Sequence, residues 1–474
     1  MIELPTAFAD RMKALLGEEY GAFCDALCNE ENVKGLRVNS HKLNIADFEE
    51  NAPFELERIS YVNGGYIVSD EAQAGKHPYH HAGVYYMQDP GAMSAVAAVP
   101  KDFWNGENLR VLDLCAAPGG KTTQLAALCA DRGGVVLSNE YVGTRSKILS
   151  GNVERMGLSN VVVTNLDSKY IAEWYLDFFD LVVVDAPCSG EGMYRKNDNA
   201  ISEWSLENVE MCAVRQKEII ENAAKNISPG GYLLYSTCTY STEENECVVA
   251  DFLDTHPEFS LCECDKAVAE HTADGIDVTG GKRPELARCR RFYPHVCKGE
   301  GQFVALLVRD ENTVANSLTV KDSFTAPDKN DRMAAETFMR ETVGQVLDGL
   351  CKVGGNLALF EAHGKLPLPP FGIVSVGVTL GEARKGRIIP HHHYFTAYGG
   401  GFVSKYCAEP DSKAVLRYIS GEEIEVPTEC VGYTALLLKA GSQSVTLGGG
   451  KASGGRLKNY YPKGLRQLNL YRGG

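Results

Sequence analysis

The sequence lacks any long uninterrupted apolar run. No stretch of its 474 residues approaches the roughly 18 to 20 apolar residues that a membrane-spanning helix needs. The opening segment, MIELPTAFADRMKALLGEEY, mixes acidic and basic residues among its apolar ones and so has no apolar centre of a signal peptide. Internal repeats and low-complexity segments are also missing. We therefore expect a globular protein with no membrane partner.

The paired cysteine spacing of a zinc site is missing too. The 15 cysteines are scattered, and the closest groupings, Cys24 with Cys28 and Cys262 with Cys264, have no matching second pair. Several cysteines fall inside apolar, strand-like runs, and nothing marks secretion. We therefore expect reduced thiols, a cytoplasmic location and no metal.

Positive charge is scarce over most of the chain. The formal net charge is −15, whereas nucleic-acid binders draw much of their affinity from basic side chains on phosphates. This balance argues against a general polyanion binder. Residues 451–474 are an exception, with no acidic residue and six basic ones: Lys451, Arg456, Lys458, Lys463, Arg466 and Arg472. On charge alone, this tail is interpreted as a solvated terminus.

Length and composition indicate a globular protein of several domains. The chain is 44% hydrophobic and 23% charged, and a chain of this length is expected to form two to four domains. The predicted divisions are a small mixed domain at 1–100, an α/β domain at 101–310, a polar linker at 311–330, a helical-start α+β region at 331–399, and a strand- and glycine-rich domain at 400–474.

From Leu109 onward, apolar runs alternate with helical stretches. The predicted strands are 110–115, 134–140, 160–167, 179–187 and 231–239, and the predicted helices are 121–130, 143–156, 206–227 and 243–255. This alternation predicts right-handed βαβ units and a parallel sheet. A further run at 301–309 has no helix before it, which predicts an antiparallel edge strand.

The turn after the first of these strands, Cys115-Ala116-Ala117-Pro118-Gly119-Gly120-Lys121, opens a helix at Thr122. Its glycines allow close approach of a ligand to the backbone, and the helix offers unpaired N–H groups. Two interpretations compete. The first is the P-loop of a nucleotide hydrolase, with the motif GxxxxGK followed by Ser or Thr. Residues 120–122 match its end, but Cys115 stands where the motif has its first glycine. A methyltransferase-type turn around the methionine end of S-adenosylmethionine predicts, in addition, an acidic residue at the end of the second strand.

Such an acidic residue is present. Glu140 ends the second predicted strand, Asp167 the third, and Asp185 the fourth. A single strand-end acid is usually a solvated loop residue. Three in series at the carboxyl ends of successive strands indicate a binding edge, because ligands of open α/β sheets bind there. We expect Glu140 to accept hydrogen bonds from ribose hydroxyls and Asp167 to flank an adenine.

Two cysteines follow parallel strands that are neighbours in a methyltransferase sheet. Cys188 lies in DAPCSGEGMYR and Cys238 in YSTCTYS. One reaction that needs such a cysteine is the methylation of cytosine at carbon-5. This carbon is a poor nucleophile, and a thiolate that adds at carbon-6 makes it reactive. Asp185 is the candidate to stabilise the charge that develops near ring nitrogen 3, either protonated or paired with the exocyclic amine. Local chemistry does not choose between the two cysteines.

The pKa of a free thiol lies above neutral pH, so its surroundings must lower that pKa before the thiol ionises. The spacing of Ser241 and Glu244 predicts a capping box for the following helix. The positive end of that helix would then lie near Cys238.

Three motifs together resemble a known family. LDLCAAPGGKT, VVVDAPCSGEGMYRK and LLYSTCTYSTEENE look like the RNA 5-methylcytosine methyltransferases of the NOL/NOP/Sun type, in the bacterial ribosomal RNA branch. HAGVYYMQDPGAM resembles the segment that leads into the catalytic domain, and RRFYPHVCKGEGQFVALLVR resembles the closing hairpin. The resemblance implies a Rossmann-like S-adenosylmethionine-dependent methyltransferase domain between an N-terminal α+β domain and a C-terminal β-rich, PUA-like domain.

The resemblance also implies roles for individual residues. Cys238 would be the nucleophile, Cys188 would assist release of the methylated base, and Lys121 would lie in the active site. The cofactor would contact Cys115, Ala116, Ala117, Pro118, Gly119, Gly120, Lys121, Glu140, Asp167 and Asp185. We expect the N-terminal region and the basic C-terminal region to bind small-subunit ribosomal RNA, alone or in the 30S subunit. The rival functions are a P-loop nucleotide hydrolase and a non-catalytic RNA-binding assembly factor.

Overall fold

The computed structural model describes residues 3–196, 198–316, 322–362 and 364–467. The predicted linker 311–330 therefore lies partly outside the described residues, and Arg472 lies wholly outside them. Among the described helices, none is long and apolar enough to cross a membrane.

The N-terminal region combines short helices with a small antiparallel sheet. Its elements are α1 (Thr6–Leu16), α2 (Tyr20–Asn29), β1 (Lys34–Val38), α3 (Ile45–Glu50), β2 (Glu57–Arg58), β3 (Gly65–Val68), α4 (Pro78–His81), β4 (Tyr85–Met87) and α5 (Pro90–Ala97). The strands pair in the order β2-β3-β1-β4. Helices α1 and α2 pack on the central region, where Phe8 contacts Tyr194 and Phe23 contacts Tyr240 edge-to-face.

The central region alternates strands and helices as predicted. Its elements are β5 (Arg110–Asp113), α6 (Gly120–Ala130), β6 (Val135–Asn139), α7 (Gly143–Met156), β7 (Val161–Thr164), α8 (Ser168–Trp174), β8 (Phe179–Asp185), α9 (Asp198–Glu203), α10 (Leu206–Ala224), β9 (Ile227–Thr237), α11 (Glu246–Thr255), β10 (Phe259–Leu261), α12 (Lys266–Ala269), β11 (Ala273–Asp274), β12 (Arg290–Phe292) and β13 (Gln302–Arg309).

These strands form one mixed sheet. Strands β7, β6, β5, β8 and β9 are parallel and adjacent in that order, and β13 runs antiparallel beside β9. The apolar side chains of the parallel strands are buried in two clusters, one on each face of the sheet. The predicted parallel sheet and the antiparallel strand at 301–309 are confirmed, and the fold is Rossmann-like. The strand order reverses at β5, which opens a crevice at the carboxyl edge.

The region after the central sheet adds one strand to that sheet and forms a second, separate sheet. Its elements are α13 (Lys329–Val343), β14 (Leu350–Val353), β15 (Asn356–Leu359), β16 (Ile373–Val376), β17 (Val378–Arg384), β18 (Arg387–Pro390) and α14 (His392–Tyr398). Strands β14, β15, β17 and β18 form their own antiparallel sheet, whereas β16 pairs with β7 at the edge of the central sheet. Helix α13 ends at Val343, because Gly344 adopts a left-handed conformation with φ 77°.

The C-terminal region is β-rich, as expected. Its elements are β19 (Lys405–Ala408), α15 (Lys413–Ile419), β20 (Ile424–Glu425), β21 (Gly432–Ala440), β22 (Gln443–Ser453) and β23 (Arg456–Asn459). The sheet order is β19-β21-β22-β23-β20. This region shares a hydrophobic core with the N-terminal sheet, and the Tyr79 hydroxyl donates to the Lys439 carbonyl at 2.8 Å. The two ends of the chain therefore pack against each other.

A buried ion pair joins α11 to the β12 hairpin and gives a stability prediction. The Arg291 guanidinium donates two hydrogen bonds to the Glu246 carboxylate, one of them at 2.6 Å, and another to the Tyr240 carbonyl at 2.9 Å. Arg291→Met should lower the free energy of unfolding by about 3–5 kcal/mol, because the Glu246 charge is left buried without a partner. Denaturant-induced unfolding measures the loss.

The matched control is an exposed pair. Lys298 and Glu57 lie 2.7 Å apart with more than half of each side chain exposed. Lys298→Met should change the free energy of unfolding by no more than about 1 kcal/mol. Equal losses in the two variants would contradict the assignment of Arg291 to a buried structural link.

Candidate active site

The turn from Cys115 to Lys121 lies between β5 and α6, at the carboxyl edge of the sheet. Gly119 has φ 115°, and a Cβ added there would lie 3.1 Å from a methyl carbon of Leu149. Helix α7 holds the turn from one side, because Arg145 donates to the Ala117 carbonyl at 2.7 Å and Asn152 donates to the Pro118 carbonyl at 2.9 Å. The backbone of the turn is thus fixed by side chains.

The N-terminal region holds the same turn from the other side. Arg37 of β1 donates to the Gly120 carbonyl at 3.2 Å, to the Thr123 hydroxyl at 2.7 Å and to the Gln88 side-chain oxygen at 3.3 Å. Burial lowers the pKa of Arg37 to about 10, which leaves the guanidinium charged at neutral pH. Sequence reasoning missed Arg37, which lies outside every quoted motif, and assigned no role to Gln88, which lies within HAGVYYMQDPGAM.

The residues that a P-loop would offer to a metal-bound nucleotide have other partners. The Thr122 hydroxyl is fully buried and donates to the Asp113 carboxylate at 2.7 Å, and Lys121 Nζ lies 2.8 Å from Asp185 Oδ2. The hydroxyl is therefore not presented to a metal ion, and the lysine points to a strand-end acid. Among the described residues, no cluster of three His, Cys, Asp or Glu side chains has the arrangement of a metal site. The geometry disfavours the P-loop interpretation.

Asp113, which sequence reasoning did not single out, lies at the end of β5 beneath the turn. Its side chain is fully buried, and within the described part of the chain its Oδ1 has no hydrogen-bond partner. Burial raises the pKa of Asp113 to about 7, with the charge of Asp185 adding to the shift. The signal that marks it is its position at a parallel strand end, the same rule that selected Asp185.

The three predicted strand-end acids occupy the same edge. Glu140 is almost fully buried and accepts from the Val142 amide at 2.8 Å, with Arg145 Nη1 at 3.4 Å from its second oxygen. Asp167 is partly exposed and caps α8 through the Lys169 amide at 3.0 Å. Asp185 accepts from the Ser236 hydroxyl at 2.9 Å as well as from Lys121. Each of the three carboxylates is therefore held by partners within the protein.

The two candidate cysteines are brought together. Cys188 follows β8, Cys238 follows the neighbouring strand β9, and their sulfur atoms lie 3.2 Å apart. The hydrogen bond with Cys238 raises the pKa of Cys188 well above its ordinary value, and burial and the charges of Cys238 and Glu244 raise it further. Cys188 therefore keeps its proton and can donate it toward Cys238.

The predicted capping box is wrong. Helix α11 begins at Glu246, after Ser241 and Glu244, and neither side chain caps it. The Ser241 hydroxyl instead donates to Glu191 at 2.8 Å, and Glu244 accepts from Ser189 and Gln216. The segment turns inward to meet the Cys188 loop, so tertiary hydrogen bonds replace the local cap.

The described basic residues of the C-terminal region have different surroundings, and Lys451 Nζ lies 5.6 Å from the centre of the Tyr433 ring. Arg456 forms an ion pair with Glu423 at 3.1 Å, and Arg466 donates to the Tyr461 carbonyl at 3.1 Å. Lys451 and Lys458 are exposed and directly opposite each other on β22 and β23. Tyr461 is buried in the core.

Three family models match the chain along its length. Residues 4–90 match the N-terminal domain of 16S rRNA methyltransferase RsmF, residues 103–308 match 16S rRNA methyltransferase RsmB/F, and residues 405–467 match the methyltransferase RsmF PUA domain. The expected fold class is therefore confirmed, with a methyltransferase domain between an N-terminal domain and a PUA domain.

Curated proteins and solved structures agree with this match. The chain is 30% identical over 485 residues to the ribosomal RNA small subunit methyltransferase F of Vibrio cholerae serotype O1 (strain M66-2), covering 99% of each chain. It is 31% identical over 492 residues to that of Klebsiella pneumoniae (strain 342), covering 100% of this chain and 98% of the relative.

Among solved structures, a methyltransferase homolog protein from Pyrococcus horikoshii is 27% identical with a TM-score of 0.56, over 64% of this chain and 95% of that one. NSun6 from Pyrococcus horikoshii is 20% identical with a TM-score of 0.53, over 65% of this chain and 99% of that one, and shares the fold. Full-length similarity at this level of identity shows that the chain belongs to the RsmB/F family of 16S rRNA methyltransferases.

Proposed function

We propose that this protein transfers a methyl group from S-adenosylmethionine to carbon-5 of a cytosine in small-subunit ribosomal RNA, with Cys238 as the nucleophile. The observation that carries the proposal is the pair of thiols 3.2 Å apart, beside strand-end Asp185 and its partner Lys121. Family membership supports the ribosomal substrate, because the curated relatives are named for the small subunit.

The cofactor site is proposed at the turn and the strand-end acids. Gly119 leaves room where a Cβ would be crowded, and Asp113 keeps one oxygen free within the described part of the site. These features fit a ligand with an amino group and a ribose. The residues that would hold it are Cys115, Ala116, Ala117, Pro118, Gly119, Gly120, Lys121, Glu140, Asp167 and Asp185. When bound, the cofactor supplies an electrophilic methyl group.

Each thiol has a distinct part in the proposed reaction. The Cys238 thiolate adds to carbon-6 of an extruded cytosine, which places electron density on carbon-5 for attack on the methyl group. A base then removes the proton from carbon-5, the bond from sulfur to carbon-6 breaks, and the double bond of the ring is restored. Cys188 keeps its proton, so it acts next to the departing Cys238 sulfur and assists release.

Asp185 is proposed to bind the exocyclic amine of the cytosine. Sequence reasoning left open whether this residue is protonated or acts as an acceptor. Lys121 and Ser236 both donate to its carboxylate. A carboxylate held by two donors remains an acceptor, and it can take a further hydrogen bond from an amine. In this proposal, Lys121 orients Asp185.

Cofactor binding separates this proposal from a nucleotide hydrolase. S-Adenosylmethionine at 100 times its Kd should stabilise the folded protein by about 2.7 kcal/mol and raise its Tm. ATP with Mg²⁺ should leave the Tm unchanged. Differential scanning fluorimetry measures both, and stabilisation by ATP with Mg²⁺ alone would restore the hydrolase interpretation.

The cysteine roles predict opposite behaviour of two variants. Cys188→Ala should accumulate a protein–RNA adduct that survives denaturation, because the bond forms but its release is slowed. Cys238→Ala should form none, because no sulfur adds to the ring. Denaturing gel electrophoresis with labelled RNA distinguishes them, and the reverse pattern would mean that the two roles are exchanged.

The modified base tests the reaction itself. Small-subunit ribosomal RNA, supplied naked and as assembled 30S subunits, is incubated with the protein and S-adenosylmethionine carrying a labelled methyl group. Nucleoside analysis should find the label in 5-methylcytosine. Label in another nucleoside would contradict the cytosine assignment, and no label with either substrate would favour a non-catalytic assembly factor.

A further inference from the structure

Two buried carboxylates connect the cysteine loops in a reciprocal way. The Cys188 loop consists of residues 186–193, and the Cys238 loop of residues 238–245. Glu244, in the Cys238 loop, accepts from the amide of Ser189 at 2.9 Å and from its hydroxyl at 2.5 Å. Ser189 directly follows Cys188. Gln216 of α10 donates to Glu244 at 2.8 Å and to the Pro187 carbonyl at 3.0 Å.

Glu191 makes the opposite connection. This residue of the Cys188 loop accepts from three residues of the Cys238 loop: the Thr239 hydroxyl at 2.8 Å, the Tyr240 amide at 2.9 Å and the Ser241 hydroxyl at 2.8 Å. The indole of Trp204 donates to it at 2.8 Å. Thr239 directly follows Cys238. Each cysteine is therefore followed by a residue that binds the carboxylate of the other loop.

Within the described part of the chain, neither carboxylate is in direct contact with a cation, although the charge of Arg11 acts on both from a distance. Glu191 is 1% exposed and Glu244 is fully buried, and neither forms an ion pair in the part of the chain that the structure describes. Burying an uncompensated carboxylate is costly even when it is hydrogen-bonded, and apolar residues would fill the same space at lower cost. Because their contacts are to loop and α10 groups, neither is available to a substrate. Their contribution is to geometry.

We propose that Glu191 and Glu244 are positioning residues that hold the Cys188 and Cys238 sulfur atoms at their close separation. This inference rests on the proposed function only for its catalytic consequence, since the geometry itself can be measured without methyl transfer. A backbone hydrogen bond from Gly192 to the Cys238 carbonyl at 2.8 Å and a contact between the Ser189 and Thr239 hydroxyls at 2.9 Å complete the connection.

Disulfide formation reports the separation of the two thiols directly. In the free protein, glutathione disulfide accepts two electrons and two protons from the thiol pair, which yields two glutathione molecules and a Cys188–Cys238 disulfide. Peptide mass mapping gives its rate of formation. Glu191→Gln and Glu244→Gln each replace an acceptor oxygen by a donor, so both variants should form this disulfide at least tenfold more slowly.

Two controls accompany this measurement. Glu243 is the neighbour of Glu244, and its carboxylate lies 2.6 Å from the Arg11 guanidinium. Glu243→Gln should leave the rate of Cys188–Cys238 disulfide formation unchanged. The Cys24 and Cys28 sulfur atoms lie 3.9 Å apart on α2, and their disulfide provides an internal rate standard in every sample. A changed rate at both thiol pairs would indicate a general loss of structure and would overturn the inference.

Catalysis gives a second readout. In both glutamine variants, kcat for methyl transfer should fall about 10- to 100-fold, while the KM values for S-adenosylmethionine and RNA stay within about threefold, since geometric misplacement of reacting groups affects the chemical step. If wild-type protein shows no methyl transfer but the variants still slow the disulfide, the proposed function fails and the positioning role stands.

If the glutamine substitutions prevent folding, two milder variants test the same inference. Ser189→Ala and Ser241→Ala each remove one hydroxyl donor and keep both carboxylates. Each should slow formation of the Cys188–Cys238 disulfide about two- to fivefold relative to the Cys24–Cys28 standard. Folded variants that form the disulfide at the wild-type rate would overturn the inference.

Discussion

The arrangement that everything else depends on is the parallel packing of β7, β6, β5, β8 and β9. Because these strands share one direction, their carboxyl ends meet at one edge, and residues as distant in sequence as Asp113 and Cys238 are brought to it. Both faces of the sheet are buried in apolar clusters, which fixes the parallel strands in the interior of the domain. The position of the site is thus set by burial of apolar strands.

This constraint explains how much the sequence could predict. Asp185 and Cys238 were found because a buried apolar run shows where a strand ends, and the topological rule then places that end in the binding edge. The role of Arg37 could not be predicted from the sequence. Arg37 donates to the Gly120 carbonyl only because two regions of the chain pack together, and no local sequence pattern connects these regions. The pairing of β16 with β7 depends on the same kind of long-range contact.

Glu244 shows a different limit. Its spacing from Ser241 has the pattern of a helix cap, and in isolation that local pattern would be sufficient. In the folded chain, Ser189 and Gln216 offer it better-buried donors, and the helix begins later. An acidic residue in a turn looks the same in sequence whether it is solvated, caps a helix or joins two loops. Its hydrogen-bond partners determine which of these roles it has, and those partners come from distant parts of the chain.

The close approach of Cys188 and Cys238 limits the charge that the pair can carry. Two thiolates at this separation would repel each other strongly, so a charge on one sulfur disfavours a charge on the other. The hydrogen bond with Cys238, burial and the nearby Glu244 raise the pKa of Cys188. Cys188 is therefore the sulfur that keeps its proton. In the reaction proposed above, this proximity puts a protonated thiol beside the reacting Cys238 sulfur, and a protonated Cys188 does not compete as a second nucleophile for the cytosine ring.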